Sequence, residues 1–304
     1  MRFGPIIACA AITPLLVAAA QPVRLQPAGP WNVDYADNSC RLLRTFGEGK
    51  TVTTFGLESV SPDQMDLLVA GKPLRTSADR VSARFLPVGS KAFDGMVVET
   101  VGGDPAILWS DIPMMPESGL AQLERERTER RRNPGIRPPP TSVAEQALRG
   151  AQRQQFAASV TELEIQTSRQ RPVVLETGSL GRAIAAFDKC SRDSLEDWGI
   201  DLAIEDQIVR PVWAPNPSSW LSSNDYPIEM VRNGQQSDVT LRLLVDATGK
   251  ITKCTSLSHF AEKEFNRISC EKVSQRARLE PAELADGTKV PSYYTFRIKF
   301  RIAG

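Results

Sequence analysis

Histidine is almost missing from this sequence: of 304 residues only His259 carries an imidazole. Any mechanism that needs a histidine cluster is thereby excluded, and a serine nucleophile would have no other imidazole base. No Gly-x-Ser-x-Gly elbow accompanies His259, and neither a Walker loop nor a Gly-x-Gly-x-x-Gly turn occurs. No Cys-x-x-Cys pair is present, so zinc-ribbon and thioredoxin-type chemistry have no support. Excess charge is also lacking. With 37 basic and 36 acidic residues the formal charge is +1, so no global field favours nucleic acid or an anionic membrane. Nothing rises to an enzyme, no cofactor or metal set is expected, and no small-molecule substrate is evident.

A hydrophobic content of 41% and a charged content of 24% are those of an ordinary globular chain, long enough for two domains. Residues 1–20 read as a secretory signal. Arg2 gives a positive start, Ile6 to Val17 an apolar run, and Ala18-Ala19-Ala20 a small-residue cleavage site. The rival is an uncleaved inner-membrane anchor over residues 3–20, but spanning takes about 20 apolar residues and this run is shorter and broken by Pro14. Cleavage removes Arg2 and no acid, leaving 36 charges of each sign. It also removes Cys9 and leaves Cys40, Cys190, Cys254 and Cys270, an even number in an exported chain that suggests two disulfides. Three connectivities are open. The economical one pairs within domains, Cys40 with Cys190 and Cys254 with Cys270.

Between residues 31 and 208, β-branched and aromatic runs punctuated by Gly and Pro predict a β-rich domain with one or two helices. Arg41 to Phe46 and Thr51 to Phe55 flank Gly47-Glu48-Gly49-Lys50 as a hairpin. Further strands are expected at 65–69, 81–86, 96–101, 106–109, 160–167 and 172–176. Residues 117–141 form a charged and Pro-rich excursion, whose nine-residue run Glu124 to Arg132 reads either as an arginine-rich contact or as a solvated helix end. Ser142-Val143-Ala144-Glu145 fits a capping box, and Ser179 is expected to cap a helix carrying Cys190. Asp193, Glu196, Asp197, Asp201, Glu205 and Asp206 match no calcium loop and read as a solvated face. Glu176-Thr177-Gly178 stands one residue from an aspartic-protease Asp-Thr-Gly and has no second copy. Residues 209–224, with Pro211, Pro215 and Pro217, are expected to be a semi-rigid linker.

The stretch from 225 to 304 has its own order. Tyr226-Pro227 precedes the alternating strand Val239 to Val245, the turn Asp246-Ala247-Thr248-Gly249, a strand from Lys250 to Leu257 and a helix over about 260–276. Arg276-Ala277-Arg278-Leu279-Glu280-Pro281-Ala282 follows, and the chain closes on the alternation Tyr294 to Ile302. Tyr-Pro, Val-Asp-x-x-Gly, Arg-x-Arg-x-x-Pro-Ala and an apolar-alternating last strand, in that order, resemble the C-terminal domain of the TonB family over about residues 220–304. Ser237 stands where the family usually has Gly, and Leu279 where Phe is common.

The resemblance implies an α+β fold overall, with an antiparallel sheet packed on a helix behind the β-rich domain. It implies a non-enzymatic module of the cell envelope, and for its partner an outer-membrane transporter bound by strand addition or another envelope protein. A homodimer is left open. Carried over, the partner-binding residues are Tyr226, Pro227, Tyr294, Arg297, Lys299 and Arg301, with the strand Ser292 to Ile302. Phe296, Ile298, Phe300 and Ile302 face the core, and Arg297, Lys299 and Arg301 form a solvated face that either reads a partner or keeps an open edge from aggregating. The competing class is a structural adapter without a transducing role. N-terminal sequencing of periplasmic material should begin at Gln21; an intact Met1 in the membrane fraction would restore the anchored reading.

Overall fold

A computed structural model of the chain describes residues 21–36, 39–61, 64–78, 81–87, 90–100, 102–133, 135–167, 171–257 and 262–302. The expected signal segment with Cys9, and His259, lie outside the described residues. The fold is α+β.

Its first half is one ten-stranded sheet. The strands are β1 (Val23–Leu25), β2 (Asn32–Ala36), β3 (Ser39–Phe46), β4 (Thr53–Ser61), β5 (Gln64–Gly71), β6 (Val81–Leu86), β7 (Phe93–Glu99), β8 (Pro105–Trp109), β9 (Glu162–Thr167) and β10 (Val173–Leu175). Period-two alternation explains their faces: in β5, Met65, Leu67 and Val69 are buried while Asp66 and Leu68 point outward. The order is β1-β10-β9-β6-β7-β8-β5-β4-β3-β2. The sheet curls back on itself, because Ala28 donates to the Thr45 carbonyl and Gly47 to that of Gln26, laying the chain after β1 beside the end of β3. The expected hairpin at Gly47 to Lys50 joins β3 to β4.

The excursion contains helix α1 (Glu117–Arg132), which buries Leu120, and is followed by α2 (Val143–Ser159). The Ser142 hydroxyl accepts from the Glu145 N–H, as the capping box requires. Helix α3 (Gly181–Asp197) follows β10. Ser179 is not its N-cap: the helix starts from Leu180, and the Ser179 hydroxyl donates to the Ala158 carbonyl, tying α3's entry to α2. Ala183, Ile184, Phe187 and Cys190 sit at helical spacing and fill one core with Phe46, Phe55, Leu57 and Trp109. A disulfide joins Cys40 of β3 to Cys190 of α3.

The acidic neighbourhood is structural. Asp193 pairs with Lys189, Asp206 with Arg192, and Asp201 caps the short α4 (Leu202–Glu205). Glu176 is held by Arg24 and Gln26.

The second core gathers β11 (Ile208–Arg210), the short α5 (Ile228–Arg232), β12 (Ser237–Val245), β13 (Ile251–Ser256), α6 (Lys263–Arg276), β14 (Ala282–Leu284), β15 (Lys289–Val290) and β16 (Ser292–Phe300). Two small sheets form, β13-β12-β16 and β11-β14-β15. Phe265, Ser269 and Val273, spaced by four, turn α6 onto the first. Residues 209–224, expected as a linker, pack here instead: Val212, Ala214 and Trp220 are buried in this core, and Trp213 bridges to Glu280. Their prolines keep the backbone irregular, with Pro217 opening a 3-10 turn, but the apolar residues between them have a surface to cover. Among the described residues no helix is long and apolar enough to cross a membrane.

The second disulfide, Cys254 to Cys270, joins β13 to α6 with a Cα–Cα distance of 5.8 Å. It closes a loop of 16 residues, so replacing both cysteines by serine should lower unfolding stability by about 3 kcal/mol in urea titration. Unreduced peptide maps of the wild type should contain both bridges and no cross-pairing between the two cores.

Candidate functional site

The motifs read along residues 225–304 meet in space. In the turn after β12, the Asp246 carboxylate accepts from the N–H groups of Thr248 and Lys250 and from the Thr248 hydroxyl, which holds its pKa below the usual carboxylate range. Gly249 has φ +87°, and a Cβ there would lie 2.1 Å from the Leu279 carbonyl oxygen. Only glycine lets this turn touch the segment before Pro281-Ala282. At the end of α6, Arg276 forks onto both oxygens of Asp225 at 2.7 and 2.9 Å, immediately ahead of Tyr226-Pro227. Asp225 is buried, and the Arg276 bonds hold its carboxyl far below the ordinary range.

Strand β16 lies at the edge of its sheet, paired with β12 from Ser292↔Val245 to Phe300↔Ser237. Its ladder direction follows from two contacts. Leu257 donates to the Thr240 carbonyl on the β13 side, and Arg301 reaches the Ser237 carbonyl on the β16 side. Even-numbered residues of β12 therefore turn their backbone to β13, and odd-numbered ones to β16. Val239, Leu241 and Leu243 lie opposite Ile298, Phe296 and Tyr294 and share the ladder bonds with them. Thr295, Arg297 and Lys299 consequently direct N–H and C=O to the open edge, where no described strand pairs with β16. Along this edge runs a groove of about 360 Å³, lined by residues 296–301 and by Pro217, Leu221 and Tyr226.

The candidate residues separate on these coordinates. Tyr226 lines the groove, donates its hydroxyl to the Gln235 carbonyl at 2.6 Å, and packs its ring on Phe265 and Phe300. Pro227 opens α5 beside it. Tyr294 stands elsewhere, on the α6 face against Trp220, where burial pushes its phenol up. Phe296, Ile298 and Phe300 do face the core, whereas Ile302 lies past the strand's end and is exposed.

The cationic face is not solvated as a whole. Arg297 bonds both oxygens of Asp66 on β5, at 2.8 and 2.9 Å, and the Thr240 hydroxyl. Burial pushes the Asp66 carboxyl up more than Arg297 pulls it down. Arg301 pairs with Asp238 at 2.5 Å. Lys299 and Arg301 are both exposed, and of the three only Lys299 is in no ion pair among the described residues. The correction has a plain cause: alternation assigns a face and does not say what covers it. Here the outer surface of the first sheet does.

Sequence reasoning also missed the partners that fix this arrangement. Arg242 lies over the Trp198 ring, 3.3 Å from its centroid, and burial pushes its pKa down to about 10. Ser292 donates to Glu205, and Trp220 packs 4.8 Å from Phe296. A tryptophan inside a Pro-rich stretch was the available signal for the last. Among the described residues no cluster of His, Cys, Asp or Glu is placed to hold a metal ion.

The unit is a three-stranded antiparallel sheet with one helix, and its last strand is paired on one side only. Residues 222–302 match the family described as Gram-negative bacterial TonB protein C-terminal, the family whose motifs they resemble. No curated protein and no solved structure matches the chain.

Asp225 provides a pH test of the wiring. Its folded pKa is depressed, so its contribution is complete above the unfolded value of about 3.9 and fades as pH falls through the folded value. Asp225→Asn should lower the melting temperature at pH 7, and the gap to wild type should narrow progressively below about pH 4 in calorimetric scans.

Proposed function

We propose that the chain is an exported, two-domain protein of the Gram-negative envelope whose C-terminal module captures an extended peptide by strand addition to β16. One observation carries the reading: the N–H and C=O groups of Thr295, Arg297 and Lys299 face an open groove beside Tyr226. Main-chain bonds then give affinity, and side chains in the groove give selectivity. The partner is the N-terminal segment of an outer-membrane transporter, as the TonB-like character of residues 222–302 suggests, and the module itself does no covalent chemistry. The alternative role of the cations, guarding the edge against aggregation, is weakened because Arg297 and Arg301 are spent on Asp66 and Asp238. That leaves Lys299 as the guard.

A second reading, an envelope adapter making lasting contacts without energy transduction, draws support from the Arg297–Asp66 pair, which fastens the edge strand to the large first sheet. Slow dissociation would mark it.

Lys299→Pro separates binding from folding. Its N–H points outward, so proline there removes no ladder bond. Calorimetric titration of the purified protein with transporter N-terminal peptides should show binding in wild type and none in the variant, at unchanged melting temperature. Arg297→Pro is a poorer probe because it also breaks the pair to Asp66. Ile298→Pro, which removes a ladder bond, should unfold the module. Undiminished binding by a folded Lys299→Pro would remove β16 as the site, and no binding by wild type would favour the adapter.

A further inference from the structure

A second cavity, of about 600 Å³, lies between the outer face of the first sheet and the β12–β16 face opposite α6. Strand addition does not use it. On the sheet side, Leu43, Gly56, Leu68, Leu108 and Met96 are successive cross-strand neighbours on β3, β4, β5, β8 and β7. At the usual strand spacing this apolar row runs ~19 Å. Gly56 leaves a shallow trough beside Leu68, closed on its other side by Leu43, whose Cδ2 lies 3.2 Å from where a Cβ on Gly56 would stand. Leu43, Leu68 and Leu108 are half-buried, and Met96 is 39% exposed at the mouth.

On β3 and β4 the row is one side chain wide; further along, Ala70, Ala106 and Val98 adjoin it, and Val98 lines the same cavity. On one flank lie Arg41, Glu58 and Asp66, again in register across three strands, and on the other Thr45, Thr54, Ala70 and Ala106. A narrow, extended apolar body fits the ~19 Å length of this stripe. Charge gives no further selection. Arg41 is matched by Glu58, Arg297 by Asp66 and Arg301 by Asp238, so the walls offer an ion no uncompensated partner.

We infer that this cleft binds a single unbranched acyl chain, laid along the row from Leu43 to Met96 with its polar end in water at the Met96 mouth. A cavity of this size at the junction of two cores is a common place for a small-ligand site; the row supplies its apolar floor, and the facing wall carries Gln236, Ser237, Asp238, Thr240, Arg297 and Arg301. The inference stands independently of the peptide edge.

The test is displacement of Nile red, a neutral solvatochromic dye, from the purified protein by monoglycerides of increasing chain length below their micellar concentrations. Affinity should rise about fourfold per methylene and then level off once the chain outruns the row. Myristate should bind as well as monomyristin, because the head lies outside. Leu68→Trp fills the trough and should abolish binding. Met96→Ser, at the exposed mouth, should weaken it by about fivefold without unfolding, which keeps the test intact if the tryptophan variant fails to fold. The inference is overturned if wild type does not take up the dye, or if both folded variants bind as wild type does. Affinity that climbs with chain length without levelling would mean simple partitioning, and a strong preference for the anion would mean capture by the arginines. A dimer that Met96→Ser dissociates would mean that a second copy covers the row. Each of these also overturns it.

Discussion

The sheet β13-β12-β16 must be covered on both faces, and the second covering is the constraint on which the rest depends. Helix α6 takes one face. On the other, Thr240 and Arg242 of β12 are almost fully buried. A guanidinium withdrawn from water is costly unless its surroundings answer the charge, and Arg242 meets the electron-rich face of Trp198. Thr240 takes an N–H from Arg297, which in turn holds Asp66. Strand β16 is therefore positioned from behind by a residue of β5, and the second core is completed by surface that the first one supplies.

Much of this unit was legible before any coordinates. Strand alternation marked Val239 to Val245 and the closing strand, and Asp246-x-x-Gly249 marked a turn whose glycine is required by positive φ and by the approach of Leu279. These are local rules, and they act within a few residues. What escaped was of two kinds. Strands β11, β14 and β15, two or three residues each, are too short to display a period. The Arg297–Asp66 pair joins positions 231 apart in sequence, and nothing near either residue names the other. Prolines in 209–224 suggested a linker, but Trp220 and Val212 had a core to join.

The charged excursion divides in the same way. Its density of arginine and glutamate marked a solvated helix, and α1 buries only Leu120. Arg137, beyond that helix, behaves differently: its guanidinium donates to the carbonyls of Pro211 and Pro281, beside Glu283. Composition alone could not single it out from the arginines before it. Its place among carbonyls that end short strands makes it a tie between the excursion and the second core.

The Cys40–Cys190 bridge spans 150 positions and so encloses the whole excursion together with α1 and α2. A protease that cut the exposed arginine run of α1 would sever the backbone without separating the pieces. The two fragments would still travel together on an unreduced gel and part only with thiol. Where proteases meet an intact disulfide, the exposed peptide bonds of α1 are thus ones whose loss leaves the chain covalently whole.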